Sequence, residues 1–284
     1  MQVLPTESAS EAIEALNVLL SSAAAGNPGD DYFARDWSAL WGSLAEGGWT
    51  ALGDGSRSPD SDFSLLDITT VAELWGRFMV PLAFIPTLVV RRWAGELPAA
   101  DVPLTYSVRE GEKTLTPYGS IARRLSAPHA NDKQTDSFAA SLPITVSTRE
   151  APAHPAGMLR EARLLLCAEA VGAAQKSLDA TVEYVKIREQ FGRPVGSFQG
   201  LKHLLANLHM EVELARSGIV WACNEPAATG DATRYVLGNC LRVAEGCIQA
   251  HGGIGFTWEA APHRYLRHVM AIRRLVAARG EIGS

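Results

Sequence analysis

Much of what would assign this chain at a glance is missing. Its 284 residues include four cysteines, Cys167, Cys223, Cys240 and Cys247, and no two of them form a CxxC pair. All four sit in apolar, helix-like stretches, so they read as buried free thiols, which fits a reducing cytoplasm. No run of eighteen apolar residues occurs, and a membrane-spanning helix is not expected. The opening MQVLPTESASEAIEALN lacks the basic stretch and apolar core of a secretory signal. Positive charge is not in excess: the formal net charge is −5, so bulk electrostatics favours neither nucleic acid nor an anionic membrane as a partner. P-loop, HExxH, nucleophile-elbow and strand-borne Rossmann glycine patterns are all absent. No pair among His209, His263 and His268 has zinc-ligand spacing with a third ligand, so no metal is expected. With 47% hydrophobic and 20% charged residues, what remains is an ordinary globular balance.

The patterning is mainly helical. Ser8 and Ser10 offer capping oxygens before EAIEALNVLL, whose apolar residues recur at three- and four-residue spacing. DWSALWGSLAEGG reads as a short helix stopped by Gly47-Gly48. LLDITTVAELWGRF and PLAFIPTLVVRRW read as two more, the second entered through Pro81. LTYSVREGEKTLTPYG and FAASLPITVSTRE carry β-branched residues and turn signals and predict a few short strands around a loop-like ARRLSAPHANDKQTD. From Met158 a helix apolar around most of its surface is predicted to run as far as Gly192, with Arg193-Pro194 beyond it. Ser197 and Asp231 are candidate caps for two following helices, and APHRYLRHVMAIRRLVAARG makes a fourth. The fold class expected is therefore mainly α. It has an N-terminal helical region (1–95), a truncated β segment (96–150) and a C-terminal four-helix bundle (151–284).

Two stretches are specific. REQFGRPVGSFQGLKH resembles the RxQFGxxxxxFQxxKH signature of the acyl-CoA dehydrogenase family, and IQAHGGIGFTWEAAPHRYLR resembles that family's QxxGGxGxT…E…RxxR segment. WSALWGSLAEGGWTAL and VAELWGRFMVPLAFIPT are similar, less specifically, to helices of the family's N-terminal half. Read physically, Arg188 and Phe191 lie three apart and are expected on one helix face, a planar cationic fork beside an aromatic surface. Gln199 is expected at a helix start, where free N–H groups favour anions. The resemblance implies that Arg188, Gln190, Phe191, Gln199, Gln249 and Gly253 reach across a subunit interface to the ADP half of a neighbour's FAD. The ordinary alternative is an arginine paired with a carboxylate, a core phenylalanine and a glycine helix stop.

The chain also departs from the pattern. The middle segment is about half as long as the family's β domain, and its E-x-x-(A/G)-GSD and G-x-K-x-(W/Y)-I-T motifs are absent. Removing a weakly acidic Cα proton needs a placed carboxylate. At the two family positions for that base stand Val276 and Ala162. Glu161 is one residue away from the second, so it is expected to point about 100° elsewhere and is only a fallback base. Heteromeric family members, some acting on steroid side-chain CoA thioesters, pair a complete subunit with a degenerate one. The resemblance thus implies a cytoplasmic, base-lacking subunit of an α2β2 heterotetramer. Its full-length homologous partner would hold the acyl-CoA, and an electron-transfer flavoprotein would be a suitable electron acceptor. The alternatives are a self-sufficient homomeric enzyme using Glu161, and a flavin-free scaffold of the same fold.

Overall fold

The computed structural model describes residues 2–25, 30–54, 63–124, 134–136, 138–257 and 259–278. The N-terminal part holds α1 (Glu7–Ala23), α2 (Asp30–Phe33), α3 (Ser38–Glu46), α4 (Leu65–Phe78) and α5 (Phe84–Trp93). Thr6, not Ser8 or Ser10, caps α1, because the helix begins earlier than its apolar pattern does and the Thr6 hydroxyl accepts from the Ala9 N–H. Ser64 and Asp67 form a reciprocal capping box on α4. Asp67 also accepts from the Thr6 N–H at 2.8 Å, which fastens the entry of α1 to the entry of α4. The α5 helix starts at Phe84 rather than Pro81, after a short turn closed by the Leu82 and Phe84 N–H groups.

Among the described residues six short strands follow: β1 (Leu104–Thr105), β2 (Val108–Glu110), β3 (Lys113–Pro117), β4 (Arg123–Arg124), β5 (Gln134–Asp136) and β6 (Ile144–Ser147). β2, β3, β6 and β5 pair antiparallel in that order, and β1 pairs parallel with β4. Leu115, Tyr118, Leu142 and Ile144 turn inward and join one continuous apolar core with the helices. The FAASLP half of the second predicted strand region is a turn at 138–143; the extended backbone begins at Ile144.

The C-terminal part is a bundle of α6 (Ala156–Ile187), α7 (Gln199–Asn224), α8 (Thr229–His251) and α9 (Pro262–Ala277). The α6 helix has 32 residues. It is buried along most of its length, as its all-round apolar sequence requires. It meets α4 where each helix carries a glycine. A Cβ added at Gly76 would stand 1.9 Å from the Glu169 carbonyl oxygen, and one at Gly172 would stand 1.8 Å from that of Glu73. The two backbones are thus in direct contact, with no side chain between them. None of the helices among the described residues is long and apolar enough to cross a membrane.

His154, between the sheet and α6, is buried. Its Nε2 accepts from the Ser107 N–H at 3.5 Å, and burial lowers its pKa below the usual 6.5. His251 is lowered in the same way, again chiefly by burial. Both imidazoles resist the proton that the unfolded chain takes up. Stability is therefore complete above about pH 6.5 and falls as pH drops below it toward the folded-state values. A urea midpoint lower at pH 5.5 than at pH 7.5, with a smaller difference in His154→Gln, is the expected result.

Candidate functional site

At one end of the bundle the sequence Arg188-Glu-Gln-Phe-Gly-Arg-Pro leaves the helix. The α6 helix stops at Ile187, five residues short of the expected Gly192, and Arg188 is already extended. Glu189–Gln190 (β7) and Arg193–Pro194 (β8) pair as a two-residue-loop hairpin whose tip is Phe191-Gly192. Both tip residues have positive φ, 53° and 77°. That is what a type I′ turn demands, and Asn-Gly or Gly-Gly usually supplies it. Arg188 and Phe191 therefore do not share a helix face; a hairpin presents them instead. The signal was in the sequence, since Gly192 beside a short polar-flanked step is a turn marker, but the apolar periodicity before it masked the change.

A bulky aromatic in left-handed backbone is a local cost of order 1–3 kcal/mol. Phe191 does not recover it by burial: it is 92% exposed. Its nearest ring is Phe198, edge-on at 6.2 Å, and the Arg193 guanidinium lies over that same ring at 4.1 Å. The hairpin returns to the bundle through the Val195 N–H, which donates to the Arg188 carbonyl at 2.7 Å. The α7 helix then begins at Gln199. Its N-cap is Phe198, not Ser197, and no side chain satisfies the first turn. The Leu201 and Lys202 N–H groups donate to the Phe198 carbonyl at 3.1 Å, while Gln199 and Gly200 are exposed at the positive end of a 26-residue helix.

The second group of expected residues comes from α8. Gln249 is exposed in its last turn, and Gly253 is exposed in the 3-10 turn Gly252–Phe256 that follows. Tyr184 of α6 stacks on His251 of α8 at 4.3 Å and 14°, so the two helices end side by side. The His251 ring is itself held by Nδ1–H donating to the Cys247 carbonyl at 2.8 Å. All six residues, Arg188, Gln190, Phe191, Gln199, Gln249 and Gly253, are thus exposed at the same end of the bundle. The Arg188 side chain makes no hydrogen bond or ion pair among the described residues. Among the described residues the Gln190 side chain bonds only the carbonyl of Glu189. The surface offers cations, an unsatisfied helix start and a projecting aromatic ring, a set suited to a phosphate group joined to a flat heterocycle.

The positions of the missing base lie elsewhere. Ala162 is buried and Val276 half-buried. Glu161 is not an available carboxylate: Oε2 accepts from Arg92 Nε and from Trp93 Nε1, each at 2.8 Å, and Oε1 lies 3.4 Å from Arg92 Nη2. Sequence reading also missed a buried chain about two helix turns further along α6. His268 Nδ1 is 2.8 Å from the Ser141 hydroxyl, and Nε2 is 3.3 Å from Glu169 Oε1. The latter two atoms are at ion-pair distance without the geometry of a hydrogen bond. Ser141, Glu169 and His268 are all almost fully buried. They join the turn before β6 to α6 and α9, and nothing in the spacing of three residues so far apart in the chain announces them.

Residues 155–275 match the family model described as acyl-CoA dehydrogenase, C-terminal domain. That stretch is an acyl-CoA dehydrogenase C-terminal domain. Its curated relatives include the acyl-CoA dehydrogenase IpdE2 of Mycobacterium tuberculosis, 43% identical over 129 residues, covering 44% of this chain and 40% of that protein. The aligned part therefore spans less than half of this relative. Solved structures extend the likeness along the whole chain. The ChsE4-ChsE5 complex from Mycobacterium tuberculosis superposes with a TM-score of 0.71 at 17% identity, over 97% of this chain and 95% of the other. The Tcur3481-Tcur3483 steroid ACAD does so with a TM-score of 0.68 at 21% identity, over 96% and 95%. At such identities the likeness is one of fold, and the fold is that of the acyl-CoA dehydrogenases.

Proposed function

We propose that the chain is the base-lacking subunit of a heteromeric, FAD-dependent acyl-CoA dehydrogenase. Residues 1–95, 96–150 and 151–284 serve as its helical, middle and bundle parts. It presents the bundle-end surface to the ADP half of FAD held mainly by a full-length homologous partner. The observation that carries this reading is the hairpin tip: an exposed aromatic at positive φ beside a free arginine and an uncapped helix start has no use within the chain itself. Arg188 and the α7 N–H groups hold the pyrophosphate oxygens, Phe191 packs on the adenosine, and Gln190, Gln199, Gln249 and Gly253 complete the contact. When bound, the flavin supplies the hydride acceptor for α,β-dehydrogenation. The partner supplies the carboxylate, binds the acyl-CoA and passes electrons to an electron-transfer flavoprotein. An α2β2 assembly in a reducing cytoplasm suits the four free thiols. The steroid named for the Tcur pair motivates a polycyclic acyl-CoA as the first substrate to assay.

Co-expression with a neighbour-encoded homologue and measurement of flavin per complex tests the reading. Arg188→Ala removes a charge-assisted contact of about 1.5–3 kcal/mol, so flavin retention is expected to fall roughly ten- to hundred-fold. Unchanged flavin content in an intact complex would remove Arg188 from the site. Phe191→Gly gives a sharper contrast. Relief of the left-handed backbone leaves the chain equally or slightly more stable, by up to about 1 kcal/mol, while flavin is bound more weakly. A variant that loses stability and keeps its flavin would instead make Phe191 a structural residue.

A further inference from the structure

Between the N-terminal part and the bundle, α1, α4 and α7 leave a cavity of about 320 Å³. Its floor is apolar: Leu66 and Leu74 of α4 and Ile219 of α7 are all buried. Its rim is residues 3–5, where Val3 and Leu4 are exposed. Hydrogen bonds on either side, not burial, hold that rim in place. The Gln2 N–H donates to Asn224 Oδ1 at 2.9 Å, and Asn224 Nδ2 donates to the Gln2 carbonyl at 2.8 Å. On the other side the Thr6 N–H is held by Asp67. Among the described residues, none of α6, α9 or the bundle-end surface lines the cavity.

One polar atom in the lining lacks a partner. Glu73 Oε1 accepts from Arg216 Nε at 2.8 Å, while Oε2 has no hydrogen bond among the described residues. Burial pushes the Glu73 carboxyl above its usual pKa, against the lowering effect of Arg216. The carboxylate thus stands on a poorly hydrated wall with one oxygen open to a donor. The other polar groups there are satisfied. Arg77 Nη2 bonds Asp179 at 2.9 Å, Arg216 also bonds Glu213 and Gln175, and the Thr69 and Thr70 hydroxyls donate to the Leu66 carbonyl.

We infer that this cavity binds a small uncharged molecule, a hydrocarbon ring system with one O–H or N–H donor, of the phenol or indole class. The volume lies at the lower end of small-molecule sites, about 300–1,000 Å³, which are apolar with a few placed polar groups. Leu66, Leu74 and Ile219 receive the ring, and Glu73 Oε2 accepts its donor. An anion would meet that same carboxylate oxygen. A cation would add a second positive charge to a carboxylate that Arg216 already balances, where little water is present to disperse it. The site is independent of the FAD reading and belongs to the isolated chain as well as to a complex.

Ligand-detected NMR titration of the full chain tests the inference, with phenol and indole against their donor-free counterparts toluene and indene, and with benzoate and benzylamine as charged probes. Saturable one-to-one binding of phenol or indole is expected, about ten- to hundred-fold tighter than that of toluene or indene. Val220→Trp, at a half-buried lining position, should abolish binding while the circular dichroism spectrum is kept. Thr70→Phe fills the cavity from the α4 side, so a folding defect in one variant leaves the other to decide. Absence of saturable binding by the wild-type chain overturns the site, as does binding that survives a folded filling variant. Equal affinity for phenol and toluene overturns the role of Glu73, and preference for benzoate or benzylamine overturns the claim that the ligand is uncharged.

Discussion

Gly172→Ala is expected to destabilise the chain by about 3 kcal/mol or more, at the upper end of what overpacking costs. A methyl group at this position would stand 1.8 Å from the Glu73 carbonyl oxygen. No rotamer change relieves that contact, because the opposing atom is backbone. The helices must separate, and α6 is the member that α4, α5, α7, α8 and α9 all pack against. Gly76→Ala should cost a similar amount, since its Cβ would stand 1.9 Å from the Glu169 carbonyl oxygen. The two costs should not add. Once one methyl has pushed α4 from α6, the second finds space, so the double variant should fall short of the sum by 1 kcal/mol or more, on the order of known coupling between touching sites. Gly42→Ala is the control: it lies within α3, where an added Cβ meets nothing within 4 Å, and should be neutral or stabilising by about 0.5–1 kcal/mol. Urea or thermal denaturation reads all four, with an expected drop of about 6–12 °C for each crossing variant. A loss under 1 kcal/mol at Gly172 would mean that the backbones are not in contact there.

That crossing also shows which features were legible in the sequence. The period of LLDITTVAELWGRF gives α4 its position and nearly its ends, because amphipathic spacing is a local signal. The bundle is equally readable from four long patterned segments. What those signals omit is pairing. Gly76 and Gly172 each look like mild defects in a helix, costing about 1 kcal/mol against alanine, and only their meeting across nearly a hundred residues of chain explains them. The hairpin at Phe191-Gly192 failed for the opposite reason: an uninterrupted apolar pattern carried the expected helix past its true end at Ile187. The six surface residues rested on the resemblance to a family, and the structure adds that they share one end of the bundle. The buried Ser141–His268–Glu169 chain and the Arg92–Glu161 pair were invisible, since polar partners in a core leave no period.

The Arg92–Glu161 pair supplies the second large effect, and it separates a structural carboxylate from a catalytic one. Both residues are nearly closed to solvent, at 7% and 5% exposure. Glu161→Gln removes a buried carboxylate that accepts from both Arg92 and Trp93, a change expected to cost about 3–5 kcal/mol. Arg92→Met should be as costly, because it strands the Glu161 carboxylate with only Trp93 Nε1 as a close donor and Arg160 Nη2 at 3.9 Å. Replacing both by methionine removes both charges together. Buried pairs exchanged for packed apolar residues are often neutral or better, and here one loss is the acceptor of the 2.8 Å Trp93 Nε1 bond, about 1–3 kcal/mol. The double variant should therefore be more stable than either single one, which an independent role for each residue would not give. The same protein then decides the chemistry. In a complex with the partner, Arg92→Met/Glu161→Met should retain turnover per bound flavin close to that of the wild type. Loss of a general base removes two to four powers of ten. A drop of that size in a folded, flavin-loaded double variant would make Glu161 the base and this chain a catalytic subunit.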